Sequence, residues 1–326
     1  MKITGSKQES SIAIEGLPPQ AILEVEDLSV SFTQYTSGLK QQELQVISNL
    51  DVAIHPGEIV AVVGASGSGK SLLAHAILGI LPGNASITGS IRYAGQELTE
   101  KLQTRLRGRE IALVPQSVTY LDPLMRVGKQ VGSSIKDGDP TNVLDQVFRR
   151  YQLQPGVKRL FPHELSGGMA RRILVATALL SEARLIIADE PTPGLDPAVL
   201  GETLSHFREL ADQGRAVMLI THDIETALNI ADRIAVFYAG TTVEVAPAED
   251  FCGQGESLRH PYSQALWRAL PQNEFHPISG FQPHPQALPK GCLFEPRCCM
   301  ATEDCARLRP GVSLVRNGMV RCFHAS

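Results

Sequence analysis

The sequence predicts an α/β fold in which a largely parallel sheet is covered by helices on both faces. Three observations carry that expectation. Short apolar runs of strand length, "EIVAVVG", "ARLIIADEP" and "AVMLITHD", each end at polar or charged residues. A segment of helical character, "AVLGETLSHFRELADQG", separates the last two. The first run passes through "ASGSGKS" straight into "LLAHAILGIL", again of helical character. A strand that is apolar on both sides is buried on both faces. Strands that alternate with helices pair in parallel.

The remaining elements follow in chain order. "AILEVEDLSVSF" alternates apolar and polar residues as a half-buried strand does, and "ELQVISNLDVAI" repeats the pattern before a turn at "HPG". "SITGSIRYAGQEL" has the turn residues of a hairpin. In "NVLDQVFRRYQL", Val143, Leu144, Val147, Phe148 and Tyr151 recur at helical spacing. "DRIAVFYAGTTVEVA" reads as strands with a turn at Gly240. Beyond about Phe251 the periodicity fades, Pro and Cys rise, and "HPISGFQPHPQALPKG" reads as a linker. The expected organisation is a polar tail over 1–21, a main domain over 22–250 and a small cysteine-rich extension over 251–326.

Bulk properties exclude some classes. Over 326 residues the net charge is −4, which gives no basic face for nucleic acid. No apolar run approaches the roughly 18 residues that span a bilayer. "MKITGSKQESSIAIEGLPPQ" lacks the apolar stretch of a secretory signal. A cytoplasmic setting is expected, where disulfides are rare.

"GASGSGKS", Gly64 to Ser71, fits G-x-x-x-x-G-K-[ST] with a strand before it and a helix after it. Glycines at Gly64, Gly67 and Gly69, with Ser66 and Ser68, let backbone N–H groups curl around phosphate oxygens at a helix N-terminus. Lys70 is placed to reach the β- and γ-phosphates and Ser71 to ligate Mg²⁺. The run "LIIADE" ends in paired acids: Asp189 suits the Mg²⁺ shell, and Glu190 suits polarising the attacking water. Gln116 follows "IALVP" and His222 follows "VMLIT", both at strand ends where α/β sheets bind ligands. "LSGGM" opens a further helix, so Ser166, Gly167 and Gly168 form a second glycine-lined N-terminus suited to an anion.

In order and spacing, residues 22 to 250 resemble the ATP-binding subunits of ABC transporters. "GASGSGKS" resembles Walker A, Gln116 the Q-loop glutamine, "LSGGM" the signature and "LIIADE" Walker B. "PGLD", with Asp196, resembles the D-loop, and His222 the switch histidine. The resemblance implies a P-loop NTPase of ABC type with a helical subdomain at about 117–180. It also implies Gln116 as a further Mg²⁺ contact and Phe32 as an aromatic stacked on adenine, although an ordinary core Phe fits that position too. Two such subunits pair head to tail, so that each ATP lies between one Walker A and the other signature. Ala170 departs from the Arg common in relatives.

Cys292, Cys298 and Cys305 are separated by five and six residues, and Cys322 follows after sixteen more. In a cytosolic protein such a group favours metal over disulfide. Four thiolates suit [4Fe–4S] or zinc, and reduced thiols are the remaining reading. "RHPYSQALWRALP" and the cysteines after it resemble the C-terminal extension of the peptide/nickel importer branch, whose pattern is associated with an iron–sulfur cluster. The resemblance implies that Cys292, Cys298, Cys305 and Cys322 hold the cluster, with Cys299 surplus. It further implies a second ATPase subunit (a heterodimer), two permease subunits and, indirectly, an extracytoplasmic solute-binding protein. The location implied is peripheral, on the cytoplasmic side of the inner membrane, and the cargo a peptide or nickel, perhaps chelated. A non-transport ABC ATPase of DNA repair or translation and an iron–sulfur-regulated ATPase are the alternatives.

Overall fold

The computed structural model describes residues 20–35, 40–135 and 139–325. Residues 1–19 of the expected polar tail lie outside the described residues.

Two sheets form. The first part of the chain gives β1 (Leu23–Tyr35) and β2 (Gln41–Ile54), then β3 (Ile59–Gly64) and α1 (Lys70–Leu78). The hairpin β4 (Ala85–Tyr93) and β5 (Gln96–Glu97) follows, then α2 (Glu100–Leu106) and β6 (Ile111–Val114). A helical stretch comes next, with α3 (Val127–Gly132), α4 (Pro140–Arg150) and α5 (Gly167–Leu179). The chain returns to the sheet through β7 (Leu185–Asp189), α6 (Pro197–Asp212), β8 (Ala216–Ile220), α7 (Ile224–Leu228), β9 (Arg233–Tyr238) and β10 (Thr241–Pro247). The extension adds α8 (Pro261–Arg268), α9 (Glu303–Arg307), β11 (Ser313–Val315) and β12 (Gly318–Val320).

The large sheet has the order β11-β12-β10-β9-β3-β8-β7-β6, and its five strands from β9 to β6 pair in parallel. Alternate residues of these strands feed two cores. Ile59, Ala61 and Val63 face one side with α5 and α6, while Val60 and Val62 face the other with α1. β2, β1, β4 and β5 form a separate antiparallel sheet, whose apolar face shares the core of α1. This second sheet departs from a single parallel layer. The β4–β5 hairpin connection is too short for a parallel crossover, which needs a dozen or more residues.

Two close approaches fix the frame. At Gly240 (φ 85°) a Cβ would lie 2.1 Å from the Val46 carbonyl oxygen, so only glycine lets the β9–β10 turn meet β2. The extension is joined to the body: β12 pairs with β10, continuing the large sheet. Arg297 ties down the stretch read as a linker. It donates to the carbonyls of Ser279 (2.8 Å) and Ile278 (3.2 Å) and to the Tyr238 hydroxyl (3.2 Å).

The helical stretch is fastened to α6. Arg150 pairs with Glu202 and, at 2.7 Å, with Glu209, and the Tyr151 hydroxyl lies 2.7 Å from His206 Nδ1.

Candidate nucleotide-binding site

The loop from Ala65 to Gly69 joins β3 to α1. Gly64 (φ 155°) has no room for a Cβ, which would meet the Phe237 carbonyl oxygen at 2.3 Å. Gly69 caps α1 in the left-handed region without a side-chain bond, so the first N–H groups of the helix keep their donor capacity for an anion. A cavity of about 260 Å³ opens over this loop. Ser66, Gly67, Ser68, Gly69, Lys70 and Ser71 line it, and Gln116 and Glu190 join them from other strand ends.

Inside the site the charges are already arranged. Lys70 Nζ donates to the carbonyls of Gly64 (2.8 Å) and Ala65 (3.2 Å). Burial lowers its pKa, against the opposing pull of Glu190 and Asp189. Asp189 is buried at the end of β7 and accepts from Ser71 Oγ at 3.0 Å. Burial raises its pKa, and the Ser71 bond opposes that rise. These two oxygens, side by side and with no basic partner in direct contact among the described residues, fit a Mg²⁺ shell. Glu190 is 7% exposed, and its carboxylate lies 2.9 Å from the exposed His222 Nδ1. Phe32 does not line this cavity; it is half-buried in β1, opposite Leu44 and Ala85, and packs against the core.

Residues 47–193 match the ABC transporter family, and residues 243–305 match the C-terminal region of oligopeptide/dipeptide transporters. The oligopeptide transport ATP-binding protein OppD of Salmonella typhimurium is 34% identical over 94% of this chain and 94% of its own length. The dipeptide transport ATP-binding protein DppD of Escherichia coli is 35% identical over 91% of this chain and 94% of its own. This chain belongs to the ATP-binding subunits of ABC transporters. A solved ATP-binding subunit of an ABC transporter superposes with a TM-score of 0.60 at 25% identity, covering 71% of this chain and 91% of that one. The chain is therefore an ABC-type ATPase.

Ser166, Gly167 and Gly168 are not among the residues lining the phosphate-loop cavity. Ser166 caps α5 by accepting from Met169 N–H at 3.2 Å, and Ser166 and Gly167 are exposed. An ideal Cβ on Gly168 would be 3.5 Å from the Gly194 carbonyl oxygen. Asp196 caps α6 and pairs with Arg172 at 2.6 Å. Sequence reasoning passed over the neighbouring Arg171. Its guanidinium donates to the carbonyls of Glu190 (2.7 Å) and Gln116 (3.0 Å), tying both to the signature helix. The adjacent arginines in "MARR" were the available signal. A second connection was also missed: the Ala65 backbone acts on the Tyr262 hydroxyl, opposing the rise in its pKa from burial, so the extension approaches the phosphate loop.

The four cysteines expected as ligands lie close enough to act on one another: beyond burial, Cys305 and Cys322 raise the Cys292 thiol, and Cys292 and Cys322 raise that of Cys298. Cys292, Cys298, Cys305 and Cys322 are free thiols, as are Cys252 and Cys299. Among the described residues no group of three or more His, Cys, Asp or Glu side chains is placed to hold a metal ion. Two of the thiols have local polar contacts. Cys305 Sγ lies 3.4 Å from Thr302 Oγ1 and 3.5 Å from His324 Nε2, and Cys322 Sγ accepts from His324 N–H. Burial pushes the Cys298 thiol up to about 11 and raises Cys292 and Cys322, and the neighbouring thiols add to the rise.

Proposed function

We propose that this ABC ATPase powers the import of di- or oligopeptides, and that the residues around the phosphate loop carry out its hydrolysis. One observation supports the site most strongly: Lys70, the Ser71–Asp189 pair and the Glu190–His222 pair converge on one glycine-lined cavity. In this reading Gly64 to Ser71 bind the phosphates, and Ser71, Asp189 and Gln116 hold Mg²⁺, which offsets phosphate charge. Glu190 orients water and takes its proton, while His222 holds the Glu190 carboxylate in place. Ser166, Gly167 and Gly168 meet the ATP of a second, similar subunit, and Asp196 stands at that seam.

Exposed Val118, Tyr120 and Leu124, just beyond Gln116, supply an apolar face for a permease subunit. The assembly is then two ATPases, as a heterodimer, beneath two permeases on the cytoplasmic side of the inner membrane, served by a solute-binding protein outside. The relatives and the C-terminal match favour peptide over nickel or a chelate. No step passes through an iron–sulfur cluster, because the hydrolytic set is complete by His222. Reconstitution with the permeases and the second ATPase in vesicles tests the reading. ATP-dependent uptake of a labelled dipeptide is expected; hydrolysis that moves no peptide would overturn it.

A further inference from the structure

A second cavity, of about 220 Å³, lies at the seam between the ATPase body and the C-terminal extension. Ser48 of β2 and Val243 of β10 contribute its floor, while Leu293, Phe294, Arg309 and Arg321 close it from the extension. No Asp or Glu is among its lining residues. Arg309 spends one hydrogen bond, from Nη1 to Ser48 Oγ at 3.0 Å, and no carboxylate among the described residues offsets its charge. Arg321 pairs with Asp51 through Nη2, and its Nε is buried without a partner among the described residues. His260, almost wholly buried, also lines the cavity. Its Nδ1 accepts from Tyr262 N–H at 3.0 Å, so the neutral ring carries its proton on Nε2 and brings a donor without a charge.

Arg309, without a carboxylate partner, and Arg321, whose charge Asp51 offsets but whose Nε is unpartnered, make an anion site, and the apolar part of the lining restricts which anion. We propose that this cavity binds a small organic carboxylate lacking an ammonium group, held by Arg309 and Arg321 with its apolar body against Val243, Leu293 and Phe294. A guanidinium fork matches a carboxylate's two oxygens. The volume falls below the roughly 300–1,000 Å³ of drug-sized sites, so the ligand is small. Inorganic phosphate would leave the apolar walls uncovered, and an amino acid would bury its ammonium beside two arginines with no acid to pair it. The position matters because β2 runs between two cavities: Val46 lines the one over the phosphate loop, and Ser48 lines this one.

Calorimetric titration of the full chain decides it, with isocaproate, its uncharged amide, leucine and inorganic phosphate as probes. Isocaproate should bind saturably, one per chain, and at least about tenfold tighter than the other three. Arg309→Gln and Arg321→Gln should each weaken it by at least about tenfold while ATP binding is retained. If Arg321→Gln fails to fold through loss of its Asp51 contact, Arg309→Gln alone decides. Absence of saturable isocaproate binding overturns the proposal, as does equal binding of the amide, leucine or phosphate. Undiminished binding in Arg309→Gln overturns it as well.

Discussion

Glu190 has φ 47°, in a region that costs a non-glycine residue on the order of 1–2 kcal/mol. Three contacts hold it there: its N–H donates to Ile220 O at 2.9 Å, Arg171 donates to its carbonyl, and His222 meets its carboxylate. Glu190→Gln preserves shape and removes charge. Turnover in the assembled transporter should fall by roughly 10²–10⁴ with nucleotide affinity unchanged, and single-turnover and binding measurements check this. Wild-type turnover would remove the assignment. Arg171→Gln should lower kcat about tenfold with little change in KM for ATP, because the fork aligns Glu190 and Gln116 without reaching the phosphates. Arg171→Lys should recover only part, since a lone ammonium lacks the planar fork. A rise in KM with unchanged kcat would contradict this role. The legibility of these residues differs for a physical reason. Lys70, Ser71, Asp189 and Glu190 lie on a strand–loop–helix or at a strand end whose local pattern sets their position. Arg171 bonds groups 19 and 55 residues away in sequence, and only the packing of α5 against β6 and β7 brings them together.

The helix α5 has two ends of chemistry: its exposed N-terminus offers donors to an anion, and one turn later its arginines grip Gln116, Glu190 and Asp196. On the proposed shared site, Gly168→Asp would set a carboxylate where the second subunit's phosphate would dock. Like charges there should block closure and abolish ATPase activity in the assembly while this chain still binds ATP at its own loop. The isolated chain at low concentration should already hydrolyse slowly, since it lacks the opposing signature. Equal rates for a dilute monomer and the assembly would overturn the shared site. The other informative element is α8. Its Tyr262 ring lies 4.5 Å from Tyr238 and 5.3 Å from Phe294, with the hydroxyl near the Ala65 backbone. Tyr262→Phe keeps the ring packing and removes the hydroxyl beside the phosphate loop, so KM for ATP should rise about two- to tenfold with kcat near normal. An unchanged KM would show that the hydroxyl does not position the loop. At this scale the parallel strands were readable because continuous apolar runs leave no polar face. The separate antiparallel sheet was less so: β1 and β2 alternate clearly, but alternation does not say which strands pair.

Across the whole molecule, two cores back the large sheet, and the extension closes one of its edges. Composition marked the extension by its Pro and Cys content, which signals irregular backbone and says nothing of docking. What docks it is polar and buried. Glu244, fully buried in β10, accepts the backbone N–H groups of Arg259 (2.8 Å) and His260 (2.9 Å), and Arg259 also donates to the Val315 carbonyl at 2.6 Å. A buried histidine, His260, and a half-buried one, His206, sit at the docking seams and make stability depend on acid. Burial holds His260 at about 3 and His206, between the helical stretch and α6, at about 4. Both lie below the roughly 6.5 of an unfolded chain. Below that pH the unfolded chain takes up protons that the folded chain refuses, so their contribution is full above about pH 6.5 and is lost as pH falls toward 4 and then 3. The fully buried His260 contributes up to about 1.4 kcal/mol per pH unit across its window, and the half-buried His206 less. His260→Asn retains a side-chain oxygen able to cap Tyr262 N–H and removes one titrating group. Denaturant unfolding at pH 7 and pH 5 should therefore show a smaller acid loss in His260→Asn than in the parent chain, by about 1–2 kcal/mol. Identical losses would mean that His260 takes up its proton alike in the folded and unfolded chain, and that the seam it lines accepts a charge.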